Sequence, residues 1–296
     1  MTHEHEAHGN FQPQAHERFH GHVPHEGNAP AGPVEGSAEG AARNGRAFLT
    51  IRSHTGLSGD ILLAGLFVLR CRLAGLRPDE AAAGTMLHDL AGEIMPELAG
   101  AARVGRREVN HVGGWHAAVD LPHAHEHRGL ADIERIIGQG GMADGAKKRA
   151  IDCFRLLAAC EGAVHGKAPE EVHFHEVGAL DSILDICLVC SLYELLGLPE
   201  VVASPLPLAD GQIECAHGIL PSPAPAVLAM LPGISVRPFP LSFAGELVTP
   251  TAVALLHALK ASFGPWPQFV VSATCLIYGE RVFPGVSNGV IFALGA

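Results

Sequence analysis

The chain has 296 residues and a formal net charge of −11, with 48% hydrophobic but only 17% charged residues, 35 glycines and 21 prolines. The acidic balance excludes a general nucleic-acid binder, which needs a basic footprint, and disfavours docking on anionic membranes. Nineteen histidines nearly match the 20 lysines and arginines, and imidazole is the commonest side-chain ligand for borderline metals.

The start, MTHEHEAHGN, has neither a basic nor an apolar signal segment, and the longest apolar runs are broken by charge. With an odd seven cysteines, a disulfide framework is not expected, and the expected compartment is the cytoplasm. Seven histidines, among them His3, His5 and His8, lie in the first 25 residues, followed by a run of Ala, Gly, Pro, Glu and Ser to Gly45. Residues 1–46 therefore read as a disordered, metal-capturing tail and linker, because the block has too few aliphatic residues to offset its ordering entropy.

The body is expected over 47–296. Ala47–Arg52 reads as a strand, and a glycine-bracketed turn, Gly56-Leu57-Ser58-Gly59-Asp60, feeds a helix from about Ile61 to Ala74. Pro78 opens a second helix through Met95. Arg103–Leu121 reads as a hairpin turning at Gly113-Gly114. Helices follow near 129–138 and 144–165, the latter with Ile151, Phe154, Leu157 and Ala158 at helical spacing. Next come a strand over 171–177, a helix over 180–196 and a strand over 201–206. Helices near 223–231 and 250–262 and strands near 268–278 and 290–294 complete the chain. Helices and short strands mix without a βαβ repeat, which predicts an α+β body of one large or two small subdomains.

The densest chemistry lies in VHFHEVGALDSILD, residues 172–185. On a strand, His173 and His175 share a face, and Glu176 follows. Asp181 and Asp185 stand one helical turn apart, so imidazoles and carboxylates can converge on one cation. An edge strand beside a solvated acidic helix face accounts for the same residues. Cys215-x-His217 adds a thiol and an imidazole on one face of an extended segment, a plausible nickel or zinc pair. Cys187-x-x-Cys190 sits in an apolar run and reads as helix core. Ser58 and Gly59 at one helix start, and Glu246, Thr249 and Thr251 around another, can grip a phosphate; plain N-capping explains them equally well. Asp60 would require a bridging cation there.

Several long blocks resemble the LarC family of nickel-insertion proteins: GLSGD (56–60), HRGLADIERII (127–137), VHGKAPEEVHFHEVGALDSILDI (164–186), VVASPLPLADGQIECAHGILPSPAPA (201–226) and GELVTPTAVALL (245–256). The resemblance implies a lyase-class cyclometallase. It would insert Ni²⁺ into pyridinium-3,5-bisthiocarboxylic acid mononucleotide, giving the nickel-pincer cofactor of lactate racemase-type enzymes. It also implies coupling to CTP with Mn²⁺ or Mg²⁺. Glu176 or His175 is the expected base for the proton lost as carbon–nickel bonding occurs, with Asp60 beside them. The sequence departs from the family pattern in three ways. Arg52 stands where an acidic residue is expected, the C-terminal motifs are reduced to Ile277–Arg281 and Ser287–Ile291, and the family's C-terminal CTP-binding domain is expected to be missing, since Ala296 falls where it would begin. Two further readings follow: a non-catalytic nickel carrier, or an N-terminal subunit that needs a separate CTP-binding chain. A homo-oligomer is left open.

Overall fold

The computed structural model describes residues 46–121, 128–174, 178–215, 218–239, 245–281, 286 and 288–296. The expectations for the tail, for His175 and Glu176, for His217 and for the side chain of Cys215 lie outside the described residues. Arg43–Ala296 forms one unit.

In chain order the elements are β1 (Phe48–Arg52), α1 (Gly59–Leu73), α2 (Ala81–Ile94), β2 (Ala102–Val109), β3 (Val112–Val119), α3 (Leu130–Gln139) and α4 (Asp144–His165). Then follow α5 (Leu180–Leu195), β4 (Glu200–Ala203), β5 (Leu206–Leu208), β6 (Gln212–Cys215), β7 (Gly218–Pro221) and α6 (Pro225–Met230). The last are β8 (Val236–Pro238), α7 (Pro250–Ala258), β9 (Ser262–Phe263), β10 (Val271–Ile277) and β11 (Val290–Gly295). This is the expected α+β class.

One seven-stranded mixed sheet, in the order β2-β3-β10-β11-β1-β4-β9, carries the body. β1 is central: it pairs parallel with β4 and antiparallel with β11. Its burial on both faces explains the near-continuous apolar run Phe48–Ile51, interrupted only by Thr50. Helices α1 and α5 are buried almost all round, so neither has a polar stripe; both are core helices. α1 packs on α5 and on β10, and α4 lies against both α5 and α7. Cys187 and Cys190 are completely buried within α5, so this pair is helix core, as expected.

Four local expectations are corrected. The β2–β3 hairpin turns at Asn110-His111, both with positive φ, not at Gly113-Gly114. Gly114 instead sits within β3, where a Cβ would come within 2.7 Å of Leu276 O and of the Tyr278 ring. The expected strand over 171–177 is, among the described residues, one isolated bridge between Gly129 and His173, preceded by a 3₁₀ turn at Pro169–Glu171. The helix expected through 262 stops at Ala258: Lys260 takes a left-handed φ of 54°, and Ser262–Phe263 joins the sheet beside β4. Pro78 precedes its helix by a turn, and α2 starts at Ala81. The hairpin β6–β7 was not anticipated, because its four-residue strands lie in a Pro- and Gly-rich stretch.

Candidate functional site

Two segments distant in sequence are tied together by backbone hydrogen bonds. Leu57 N–H donates to Leu247 O at 2.9 Å, and Thr249 N–H donates to Leu57 O at 3.0 Å. Gly56 allows this approach. Its φ is +143°, and any Cβ would collide with the carbonyl of Leu247. The starts of α1 and α7 are thereby brought side by side, each with free backbone N–H groups and a partial positive charge. Thr249 is a true N-cap, its hydroxyl accepting from Ala252 N–H at 3.3 Å, and Pro250 follows at the first helical position. Ser58 occupies the corresponding place on α1, but its side chain does not cap. It donates instead to Asp60 Oδ1.

A cleft of about 270 Å³ opens here, lined among others by Thr55, Ser58, Asp60, Glu246, Thr249, Glu280, Arg281 and Asn288. Four of the sequence-stated residues (Ser58, Asp60, Glu246 and Thr249) line it. Gly59 and Thr251 touch just behind: a Cβ on Gly59 would lie 3.1 Å from the Thr251 methyl and 3.0 Å from Asp185 Oδ2. Gly59 is therefore the spacer that lets the Asp185 carboxyl of α5 lie against the first turn of α1.

That carboxyl is unusual. Asp185 Oδ1 is sealed from solvent and has no hydrogen-bond partner among the described residues. Burial, then the negative charges of Asp60 and Asp181, push its pKa well above the ordinary aspartate value. Asp60 is also raised, chiefly by burial, with a further push from Glu280. The Ser58 hydroxyl and the backbone N–H groups of Asp60 and Ile61 oppose the shift. The pair is asymmetric: Asp60 has donors that favour its charged form, whereas Asp185 has none.

Asp181, one turn before Asp185 on the same helix, is exposed and accepts from Ser182 N–H at 2.7 Å. His173 is exposed. With its proton on Nδ1 it donates to Glu171 O at 3.2 Å, which leaves the Nε2 lone pair for a metal. Among the described residues no three His, Cys, Asp or Glu side chains gather into a metal-holding group.

Glu280, Arg281 and Asn288 were not among the sequence-stated site residues, although they lie in motifs already noted as reduced. Arg281 Nη1 donates to Glu246 O at 3.0 Å, and Asn288 Nδ2 donates to Arg281 O at 2.7 Å. Thr55 Oγ1 donates to Asn288 O at 3.0 Å. These bonds close the cleft wall across more than 200 residues of sequence. Arg107 holds the other side, donating to the carbonyls of Gly279 and Glu280 at 2.8 and 2.9 Å. Among the described residues no helix is long and apolar enough to cross a membrane.

The family model described as nickel insertion protein matches residues 49–295. A Myxococcus xanthus protein is 39% identical over 254 residues, covering 84% of this chain and 61% of its own length. The pyridinium-3,5-bisthiocarboxylic acid mononucleotide nickel insertion protein of Staphylococcus saprophyticus is 34% identical over 246 residues, 82% of this chain and 59% of its own. The protein of that name from Desulfitobacterium hafniense is 36% identical over 219 residues, covering 73% and 50%. The chain thus spans about three fifths of the length of the first of these relatives, and no solved structure matches it. But for Phe48, the matched range contains every element from β1 to β11 and the whole described cleft, so the chain belongs to the nickel insertion protein family.

Proposed function

We propose that this chain inserts Ni²⁺ into pyridinium-3,5-bisthiocarboxylic acid mononucleotide, with the ring held in the cleft beside Asp60. The observation that carries the reading is the Asp60–Asp185 pair at the cleft of a nickel insertion family member: Asp185 lies against Gly59, its pKa is raised in part by the Asp60 charge, and its Oδ1 has no hydrogen-bond partner among the described residues. A fold does not retain an uncompensated buried carboxyl for stability.

In this substrate two thiocarboxylates flank the C4 position of the ring, and their sulfurs suit a borderline ion such as Ni²⁺. Metallation breaks the C4–H bond, and its electron pair becomes the carbon–nickel bond. The proton leaves to a base, and nothing is oxidised or reduced. Asp60, its pKa raised chiefly by burial and its carboxylate held by the Ser58 hydroxyl and two backbone N–H groups, is the described residue suited to take that proton. Glu176 and His175 are the other candidates. His173, with an open Nε2, is suited to receive Ni²⁺ before it reaches the sulfurs, and His175, Cys215 and His217 supply the same donor types. The oxygen donors of Asp60 and Asp185 are the type that a hard divalent ion takes, Mg²⁺ or Mn²⁺, as CTP would require; with Asp181 they do not gather into one group, so the nucleotide's phosphates would complete the shell. The free N–H groups of α1 and α7, with the hydroxyl of Thr249, suit a nucleotide phosphate such as that of CTP.

Mass spectrometry tests this reading. The protein is incubated with the bisthiocarboxylate mononucleotide and Ni²⁺, with and without CTP, and the small-molecule product is weighed. A nickel adduct that has lost one ring proton is expected, and Asp60→Asn should abolish it. Recovery of unreacted precursor beside nickel-loaded protein would favour the carrier, or a chain that needs a CTP-binding partner. A CTP requirement would be read in the same experiment.

A further inference from the structure

We propose that Arg52 and Arg237 form a subsite for a phosphate monoester at the carboxyl ends of the parallel strands β1 and β4, beside the cleft and apart from the carboxylate pair. Arg52, the last residue of β1, is only 4% exposed. Its Nη1 donates to Gly264 O at 2.6 Å. Its Nε and Nη2 are sealed from solvent and have no hydrogen-bond partner among the described residues. These two nitrogens form the side-on edge of the guanidinium, which binds a carboxylate or phosphate through two parallel hydrogen bonds. The edge best suited to an oxyanion is therefore the one without a partner.

The surroundings do not supply the missing counter-charge. Burial lowers the Arg52 pKa, and no neighbouring carboxylate raises it. The adjoining serines are turned to other partners: the Ser53 hydroxyl donates to Gly56 O, and the Ser204 hydroxyl accepts from Ser53 N–H at 3.0 Å and donates to Ser53 O at 3.2 Å. A second cation stands at the same loop. Arg237, on β8, donates from Nη2 to His54 O at 2.7 Å and to Ser53 O at 3.3 Å. Among the described residues it too has no carboxylate partner. Two uncompensated arginines at one loop, in a chain of net charge −11, match a dianion better than a single carboxylate. The loop they hold, Ser53 to Thr55, runs directly into the cleft wall. Ligands of open sheets containing parallel strands gather at the strands' carboxyl ends.

Trp266 covers the position. Its ring centroid is 4.9 Å from Arg52 Cζ, and the residue is half exposed, so an anion reaching Nε and Nη2 displaces the indole. The phosphate comes either from the mononucleotide or from free phosphate. The site itself does not depend on the insertion reading; only the assignment to the mononucleotide does.

Trp266 is one of two tryptophans, so its fluorescence can be isolated in a Trp115→Phe background. The full chain is titrated with inorganic phosphate and, separately, with nicotinic acid mononucleotide, against KCl at matched ionic strength. A saturable change with phosphate, absent with KCl, is expected. Arg52→Gln should weaken it at least ten-fold and Arg237→Gln several-fold. Should Arg52→Gln not fold, the Arg237 variant and thermal stabilisation by phosphate carry the test. Tighter binding of the mononucleotide assigns the site to the substrate's phosphate, while binding of phosphate alone supports a free-phosphate site. A response to neither anion, or one unchanged in the folded variants, overturns the proposal. Loss of nickel insertion with phosphate binding intact would count against the insertion reading only.

Discussion

The two ends of α5 treat a carboxyl in opposite ways. Near its C-terminus, Glu194 meets Arg149 at 2.5 Å, and the same guanidinium lies 5.4 Å from the Tyr193 ring. Charge, hydrogen bonding and packing are all satisfied there. Near its N-terminus, Asp185 has an orphaned oxygen, no cation and two acidic neighbours. The same contrast separates the arginines: Arg149 has its carboxylate, whereas Arg52 stacks on Trp266 with its fork unmet. A paired buried charge belongs to the structure. An unpaired one costs stability and is retained where a ligand completes it.

The comparison breaks most severely at the backbone that assembles the cleft. Gly56→Ala should cost about 3 kcal/mol or more, since it adds a clash with Leu247 O to an unfavourable φ. Urea denaturation would show the loss, and any nickel insertion should fall with it.

Asp185→Asn sharpens the contrast because its effect has the opposite sign. An unfolded aspartate titrates near about 3.9. The folded group titrates well above that, so between the two values the native state holds the extra proton. Stability contributed by Asp185 is therefore full below the unfolded pKa and is lost as pH rises through the folded one. The Asn variant should melt about 2–4 °C or more above the parent at pH 7, and the two melting curves should converge towards about pH 4. A variant that is less stable at neutral pH would contradict the assignment.

At the other end, Glu194→Gln should destabilise by about 1–2 kcal/mol, because the Arg149 charge loses its partner in a half-buried corner. The smallest effect is expected for the solvent-exposed Lys148–Asp152 pair on α4. There Asp152→Ala should change stability by less than about 0.5 kcal/mol. Equal losses at Glu194 and Asp152 would mean that the corner is no more structural than an ordinary surface pair.

Much of this architecture was legible in the chain itself. Helical spacing located α4, the apolar run with its internal cysteines located α5, and Thr249-Pro250 marked the start of α7, because each of these signals is local. Asp181 and Asp185 could be placed on one helix face for the same reason. The coupling of Asp60 to Asp185 could not, since it depends on α5 packing closely against the first turn of α1 at Gly59. Nor could the roles of Glu280, Arg281 and Asn288, which reach the cleft only when β10 and β11 close the sheet beside β1. Composition and local periodicity thus determined the elements, the apolar helices and the kinds of ligand atom available. Tertiary structure alone decided which charges found partners and which did not, because pairing and desolvation depend on neighbours far apart in sequence.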